Sequence, residues 1–164
     1  MRNTIFANIY NLNIMLKDIL AISGKSGLYK FVSQGRQGII VESLENKTRT
    51  HTSAAAKISA LEDIAIFTDD EDVPLRDVFK AIHEKESGGK AISHKSSANE
   101  LKEYMEEVLP EYDKDRVYVS DIKKLIQWYN ILHDYDMLNF DEEEEEEEEQ
   151  EETKTSEGKG EEKE

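Results

Sequence analysis

Leu28-Tyr-Lys-Phe-Val-Ser-Gln-Gly-Arg-Gln-Gly-Ile-Ile-Val-Glu-Ser-Leu44 decides the fold of the N-terminal half. Two runs rich in β-branched and aromatic residues, Leu28–Ser33 and Ile39–Leu44, flank Gly35-Arg-Gln-Gly38. Such runs suit a pleated, half-buried strand, and glycine supplies the positive φ that a tight connection needs. The stretch therefore predicts a β-hairpin. Working outward, Glu45-Asn46-Lys47 reads as a second turn, and Thr48–Thr52 alternates as a third strand. Lys57-Ile58 predicts a fourth strand, Ser59–Asp63 one tight helical turn, and Ile64–Phe67 a fifth strand. On the other side, Leu16, Ile19, Leu20 and Ile22 predict a short amphipathic helix that stops at Gly24.

One short helix and five short strands, with a single helical turn between the last two, match the topology of small SH3-like and Sm-like barrels. The expected N-terminal module is such a β-barrel, or a bent sheet, over residues 15–70. The analogy concerns topology and carries no function. A module of this size lies near the lower limit for folding alone, so it must gain burial from the rest of the chain or from copies of itself.

The second half, residues 71–140, is predicted to be a helical domain of three helices, giving an α+β chain. Asp69-Asp-Glu-Asp72 precedes Pro74, an arrangement that suits a helix start and its dipole. Leu75, Val78, Phe79 and Ile82 mark one face, and Gly88-Gly89 ends that pattern. Ser97-x-x-Glu100 is a capping box for a second helix with Leu101, Tyr104, Met105 and Val108 on one side, stopped by Pro110. Ser120 is a candidate cap for a third, whose stripe is Ile122, Leu125, Ile126, Tyr129 and Leu132; Val117-Tyr-Val119 before it reads as extended. The Gly/Ser/Lys stretch Ser87–Ser96 reads as a flexible joint between the first two helices.

The formal net charge is -16 over 164 residues, but it is unevenly spread. Asp141–Glu164 holds 15 acidic residues against 3 lysines, including the unbroken run Glu142–Glu149. Such a run buries nothing and repels itself, so 141–164 is expected to be a disordered acidic tail that keeps the protein soluble. The remainder is nearly balanced. Met15–Thr68 carries a net of +2 and Asp69–Phe140 a net of -7. Residues 1–14 are asparagine-rich with no lasting period and read as a non-native or disordered extension, with Met15 as the expected natural start.

There is no cysteine, which excludes disulfides, thiolate metal sites and a cysteine nucleophile. No run approaches the ~18–20 apolar residues of a membrane span, and no signal-peptide pattern opens the chain, so no membrane partner and a cytoplasmic location are expected. Gly24-Lys25-Ser26 resembles the end of a phosphate loop, but the glycine required five residues earlier is Ile19. Asp113-x-Asp115 resembles the start of a calcium loop, but Tyr118 stands at the glycine position and Lys124 at the terminal acidic one. His51, His83, His94 and His133 lack ligand spacing. No nucleophile motif occurs. Accordingly no catalytic, metal or cofactor residue is assigned, no cofactor is expected, and an enzyme is not.

Two groups of residues carry the functional expectations. Lys25, Lys30, Arg36, Lys47, Arg49 and Lys57 lie among Tyr29 and Phe31, the mixture of cations and aromatics that serves a nucleic-acid or partner surface. Trp128, off the main stripe of the third helix, is a candidate partner anchor.

The stretch MLKDILAISGKSGLYKFVSQGRQGIIVESLE (15–45), followed by KISALEDIAIFTDDEDVPLRDVF (57–79) and DRVYVSDIKKLIQWYNIL (115–132), resembles a Bacteroidetes protein family. That family joins a small N-terminal domain of unknown function to a helical C-terminal one. The resemblance spans 15–140 and implies a bacterial cytoplasmic protein with no established catalytic residues. It also implies association of the small domain through sheet edges between subunits, as open edges permit. The leading expectation is a non-enzymatic, self-associating scaffold or protein-interaction module, a homo-oligomer through its β module with a further protein partner. The alternative is a single-stranded RNA- or DNA-binding protein whose acidic tail competes for the basic surface.

Overall fold

The computed structural model describes residues 16–138 and Phe140. The extension and Met15 start read at one end, and the acidic tail read at the other, lie outside the described residues.

The quoted stretch forms its hairpin. Tyr29–Gly35 (β2) pairs antiparallel with Gly38–Ser43 (β3), closing at Gly35 opposite Gly38. Gly38 is required there because a Cβ would lie 2.0 Å from the Thr52 carbonyl oxygen. Phe31 faces Val41 while Ser33 faces Ile40, so Val32 is the extra residue of a bulge. Arg49–Ser53 (β4) follows on β3, after a turn in which the Asn46 carbonyl side chain accepts the Thr48 N–H.

The start of the chain departs from the reading. Only Leu16–Asp18 is helical, a single 3₁₀ turn, and Ile19–Ile22 is a strand, β1. A helix nucleus is costly and a stretch this short cannot offset it. As a strand the same residues pair with two neighbours at once. One is β2; the other is Ile58–Ala60 (β5). The predicted helical turn is the 3₁₀ segment Leu61–Asp63. The fifth predicted strand leaves the sheet: Ala65–Ile66 (β6) pairs instead with Val73–Pro74 (β7).

The result is a five-stranded antiparallel sheet in the order β4-β3-β2-β1-β5. It is open, with β4 and β5 as its edges, and not the closed barrel of the first alternative. The strand that would have continued it is held elsewhere by the Leu75 N–H, which donates to the Ile64 carbonyl at 2.8 Å.

The helical half follows its sequence signals closely. Leu75–Lys85 (α1) starts just after Pro74 and buries Leu75, Val78, Phe79 and Ile82. Ala98–Val108 (α2) has the expected box: the Ser97 hydroxyl accepts the Glu100 N–H, and Glu100 Oε2 accepts the Ser97 N–H at 2.8 Å. Val119–Asp134 (α3) begins earlier than the Ser120 cap implied. Tyr118 is the extended residue before it, and its N–H donates to Asp121 Oδ2 at 3.0 Å. Val119, read as extended, is therefore helical.

One core joins the halves. Ile19, Leu28, Leu44 and Leu61 of the β module are buried in the same cluster as Phe79, Met105, Ile126 and Tyr129. Phe79 and Tyr129 meet edge to face, with centroids 5.9 Å apart. The shared cluster answers the burial problem posed by a module too small to stand alone.

Candidate interaction surfaces

Strand alternation sorts the cationic and aromatic residues. Directly opposed residues share a face. Lys30 opposes Glu42, which opposes Arg49, so these three form a row on one face. Phe31 opposes Val41 and then Thr50, and Tyr29 opposes Leu20, so the aromatics belong to the other face. Lys30 and Phe31 are neighbours in sequence and are on opposite sides of the sheet. In the charged row, Arg49 Nε lies 2.9 Å from Glu42 Oε2.

The other five-strand face is apolar. Ile22 opposes Ile58, and Ile22 and Val41 are buried without joining the core cluster of the helices. Phe31 stands 45% exposed on it. The remaining predicted residues are dispersed. Lys25 Nζ sits 5.8 Å from the Tyr29 ring in the β1–β2 turn, Arg36 lies at the hairpin tip, and Lys57 is exposed just before β5. Lys47, at the turn into β4, has its Nζ 5.0 Å from the Tyr135 ring beyond α3.

Hydrogen-bond phase defines what β4 offers. The Ser43 N–H donates to the Thr48 carbonyl and the Ala54 N–H to the Gln37 carbonyl. In an antiparallel ladder bonded pairs alternate, so Thr50 and Thr52 bond inward to β3. The N–H and C=O groups of Arg49 and His51 consequently point outward, along the sheet edge. β4 is five residues long and has no proline and no bulge, the devices that usually protect an edge.

Trp128 lines a groove of about 270 Å³ between β6 and α3. Ile64, Ile66 and Leu75 form one wall, and Val117, Leu125 and Trp128 the other. Arg116 also lines it. The guanidinium stacks 4.4 Å from the Phe67 ring centroid, Nε donates to Asp113 Oδ2 at 2.6 Å, and Nη2 donates to the Thr68 carbonyl at 3.0 Å. The hydrogen bond from Arg116 holds the Asp113 carboxyl below its usual range, with the Asp115 N–H adding to the effect. Sequence reading singled out Trp128 and missed Arg116 and Phe67. Asp113 and Arg116 meet within one local turn, in which Asp113 Oδ1 accepts the Asp115 and Arg116 N–H groups; the stacking on Phe67 is non-local and had no signal in the sequence.

Among the described residues, no group of three or more His, Asp or Glu side chains is arranged to hold a metal ion. No helix among them is long and apolar enough to cross a membrane.

Residues 16–61 match the domain of unknown function DUF5606, and residues 64–132 match the domain of unknown function DUF6852. The chain is similar to a Bacteroides vulgatus protein whose solution NMR structure was determined as a structural-genomics target. The identity is 51%, the TM-score is 0.65, and the match covers 77% of this chain and 91% of that one. Comparison with curated proteins finds no match.

Proposed function

The chain belongs to the two-domain family in which DUF5606 precedes DUF6852, and from that premise we propose a non-enzymatic interaction module that self-associates through its sheet. The observation that carries this reading is the β4 edge. Arg49 and His51 present outward N–H and C=O groups with nothing among the described residues paired to them. A second copy supplies the complementary groups when two β4 strands run antiparallel about a two-fold axis. With that axis at His51, Arg49 faces Ser53 of the other copy and like charges do not oppose. Phe31, exposed on the adjoining face, adds apolar area that such an assembly would cover.

The Trp128 groove gives the module a second contact, for a protein partner. Its apolar walls and single tryptophan fit the anchor-in-pocket pattern of interface hot spots. We favour association between proteins over nucleic-acid binding because stacking and charge must act on one strand of bases together. Here Phe31 and Tyr29 are on one face and Lys30 and Arg49 on the other. Sedimentation equilibrium of the full chain at tens of micromolar tests the reading. A concentration-dependent oligomer is expected, and a strict monomer would overturn it.

A further inference from the structure

The strand β6 has one edge that β7 does not cover. Ala65 opposes Pro74 and Ile66 opposes Val73, and the Leu75 N–H donates to the Ile64 carbonyl. Bonded pairs alternate in an antiparallel ladder, so Ile66 bonds to β7 and Ala65 does not. Pro74, which has no N–H to give, stands at that unbonded position. The N–H and C=O groups of Ala65 and Phe67 therefore point to the opposite edge. Residues 111–113 take up part of it: the Phe67 carbonyl accepts the Asp113 N–H at 2.9 Å, and the Asp69 N–H donates to the Glu111 carbonyl at 3.1 Å. The Asp113 carbonyl turns back to accept the Val117 N–H at 2.9 Å. Both backbone groups of Ala65, and the Phe67 N–H, are left with no partner among the described residues.

The Trp128 groove runs along this open stretch. Ile64, Ala65, Ile66 and Phe67 all line it, and successive strand residues face opposite ways, so a groove that touches all four follows the edge. Its inner side is apolar, with Ile66, Leu75 and Leu125 buried. Its charged residues are Arg116, Asp121 and Lys124. Two of the three are already committed. Arg116 pairs with Asp113. Asp121 lies in the first turn of α3, where the helix dipole offsets its charge and its Oδ2 accepts the Tyr118 N–H. Lys124 is exposed and has no hydrogen-bond or ion-pair partner among the described residues. The uncommitted charge of the groove is therefore positive.

We propose that the groove takes an extended peptide segment of a partner protein, added to β6 as a further strand, with an acidic residue between two apolar ones. Ala65 and Phe67 hydrogen-bond its main chain. The two apolar side chains enter beside Trp128, and the acidic one between them turns outward to Lys124. This occupancy rests on the groove being a protein contact and is independent of association through β4.

The probe is the pentapeptide Thr-Leu-Asp-Leu-Thr, capped at both ends and titrated at low salt into the isotope-enriched full chain. The Ala65 and Phe67 amides should shift and gain several-fold protection from exchange. The Trp128 indole should shift with them, and the Arg49 and His51 amides of β4 should not. Replacing the peptide's aspartate with lysine should weaken binding several-fold, and Lys124→Glu, at an exposed position, should reverse that preference. Ala65→Pro removes one donor from the edge. Ile64 already has the extended conformation, φ -90° and ψ 132°, that a following proline requires, so the fold should persist and the affinity fall several-fold. Equal binding of the two peptides, or shifts confined to β4, overturns the inference. So does protection that grows with protein concentration in the absence of peptide, since the occupant would then be a second copy. Trp128 shifts at saturation without protection of Ala65 and Phe67 remove the added strand and leave the groove as a contact. A silent Trp128 removes both. Self-association is read separately, by sedimentation without peptide.

Discussion

The Asn130 side chain on α3 holds the main chain at Ala91 from both sides of its amide. Oδ1 accepts the Ala91 N–H at 2.9 Å, and Nδ2 donates to the Ile92 carbonyl at 3.1 Å. Two neighbours on the same helix complete the attachment: the Tyr129 hydroxyl donates to the Gly89 carbonyl at 2.8 Å, and His133 Nε2 lies 3.0 Å from the Gly88 carbonyl. The Gly/Ser/Lys stretch that reads as a flexible joint is therefore pinned to α3 along residues 88–92.

Asn130→Ala should cost about 1–3 kcal/mol, because it leaves half-buried backbone groups at Ala91 and Ile92 without partners. Urea denaturation measures the loss. Amide exchange at Ala91 should accelerate more than at Glu100, whose N–H is held by Ser97 and not by α3.

Gly38→Ala should destabilise the sheet by about 2 kcal/mol or more, since the added methyl meets the Thr52 carbonyl and β3 must shift. Gly24→Ala is the contrast. Nothing lies within 4 Å of its Cβ position, so only the strain of φ +82° is incurred, about 1 kcal/mol. Thermal unfolding of the two variants should rank them in that order.

Proline at two adjacent positions of β4 distinguishes the edge from the ladder. The His51 N–H points outward, so His51→Pro should retain the fold and lower self-association several-fold. The Thr50 N–H bonds to β3, so Thr50→Pro should cost ~3 kcal/mol or more in stability. Equal unfolding by both would contradict the phase assigned to β4.

Stability should fall at both pH extremes, for different groups. The hydrogen bond from the Ser97 hydroxyl, then that from its N–H, lowers the Glu100 carboxyl, and Arg116 lowers Asp113. A lowered carboxyl contributes above its unfolded value, so this support is present above the ordinary range of ~4 and is lost as pH falls through the depressed values. Tyr129 behaves oppositely. Burial, then Glu86, pushes its hydroxyl up to about 12. Its contribution is complete below the ordinary ~10 and is lost as pH rises through about 12. Tyr104 is raised in the same direction, by burial and by its bond to Glu86. Urea midpoints across pH should be level between these limits, and phenolate absorbance should show a late-ionising fraction that coincides with alkaline unfolding.

The helical half was largely legible because its signals are local. The stripe Leu75, Val78, Phe79 and Ile82 is the buried face of α1, and Leu101, Tyr104, Met105 and Val108 are that of α2. A 3.6-residue period and a capping box need no knowledge of what lies across the core. The candidate interaction surfaces were less legible. Trp128 stands out by its position off the stripe, but the Ile64–Phe67 wall opposite it comes from a strand that the sequence pattern places in the wrong sheet.

The β2–β3 hairpin shows where the boundary falls. Composition and glycine spacing sufficed to specify two strands and their turn between Leu28 and Leu44, since a tight connection and β-branched runs act over a few residues. Whether the strands close into a barrel depended on distant partners. β1 became a strand because two neighbours could pair with it, and β6 left the sheet because the chain entering α1 captured it. The same alternation that makes a strand legible also divided its cationic and aromatic residues between two faces. Which face meets the helices, and which edge remains open, was decided only by tertiary packing, because pairing and burial are settled by residues that sequence proximity does not identify.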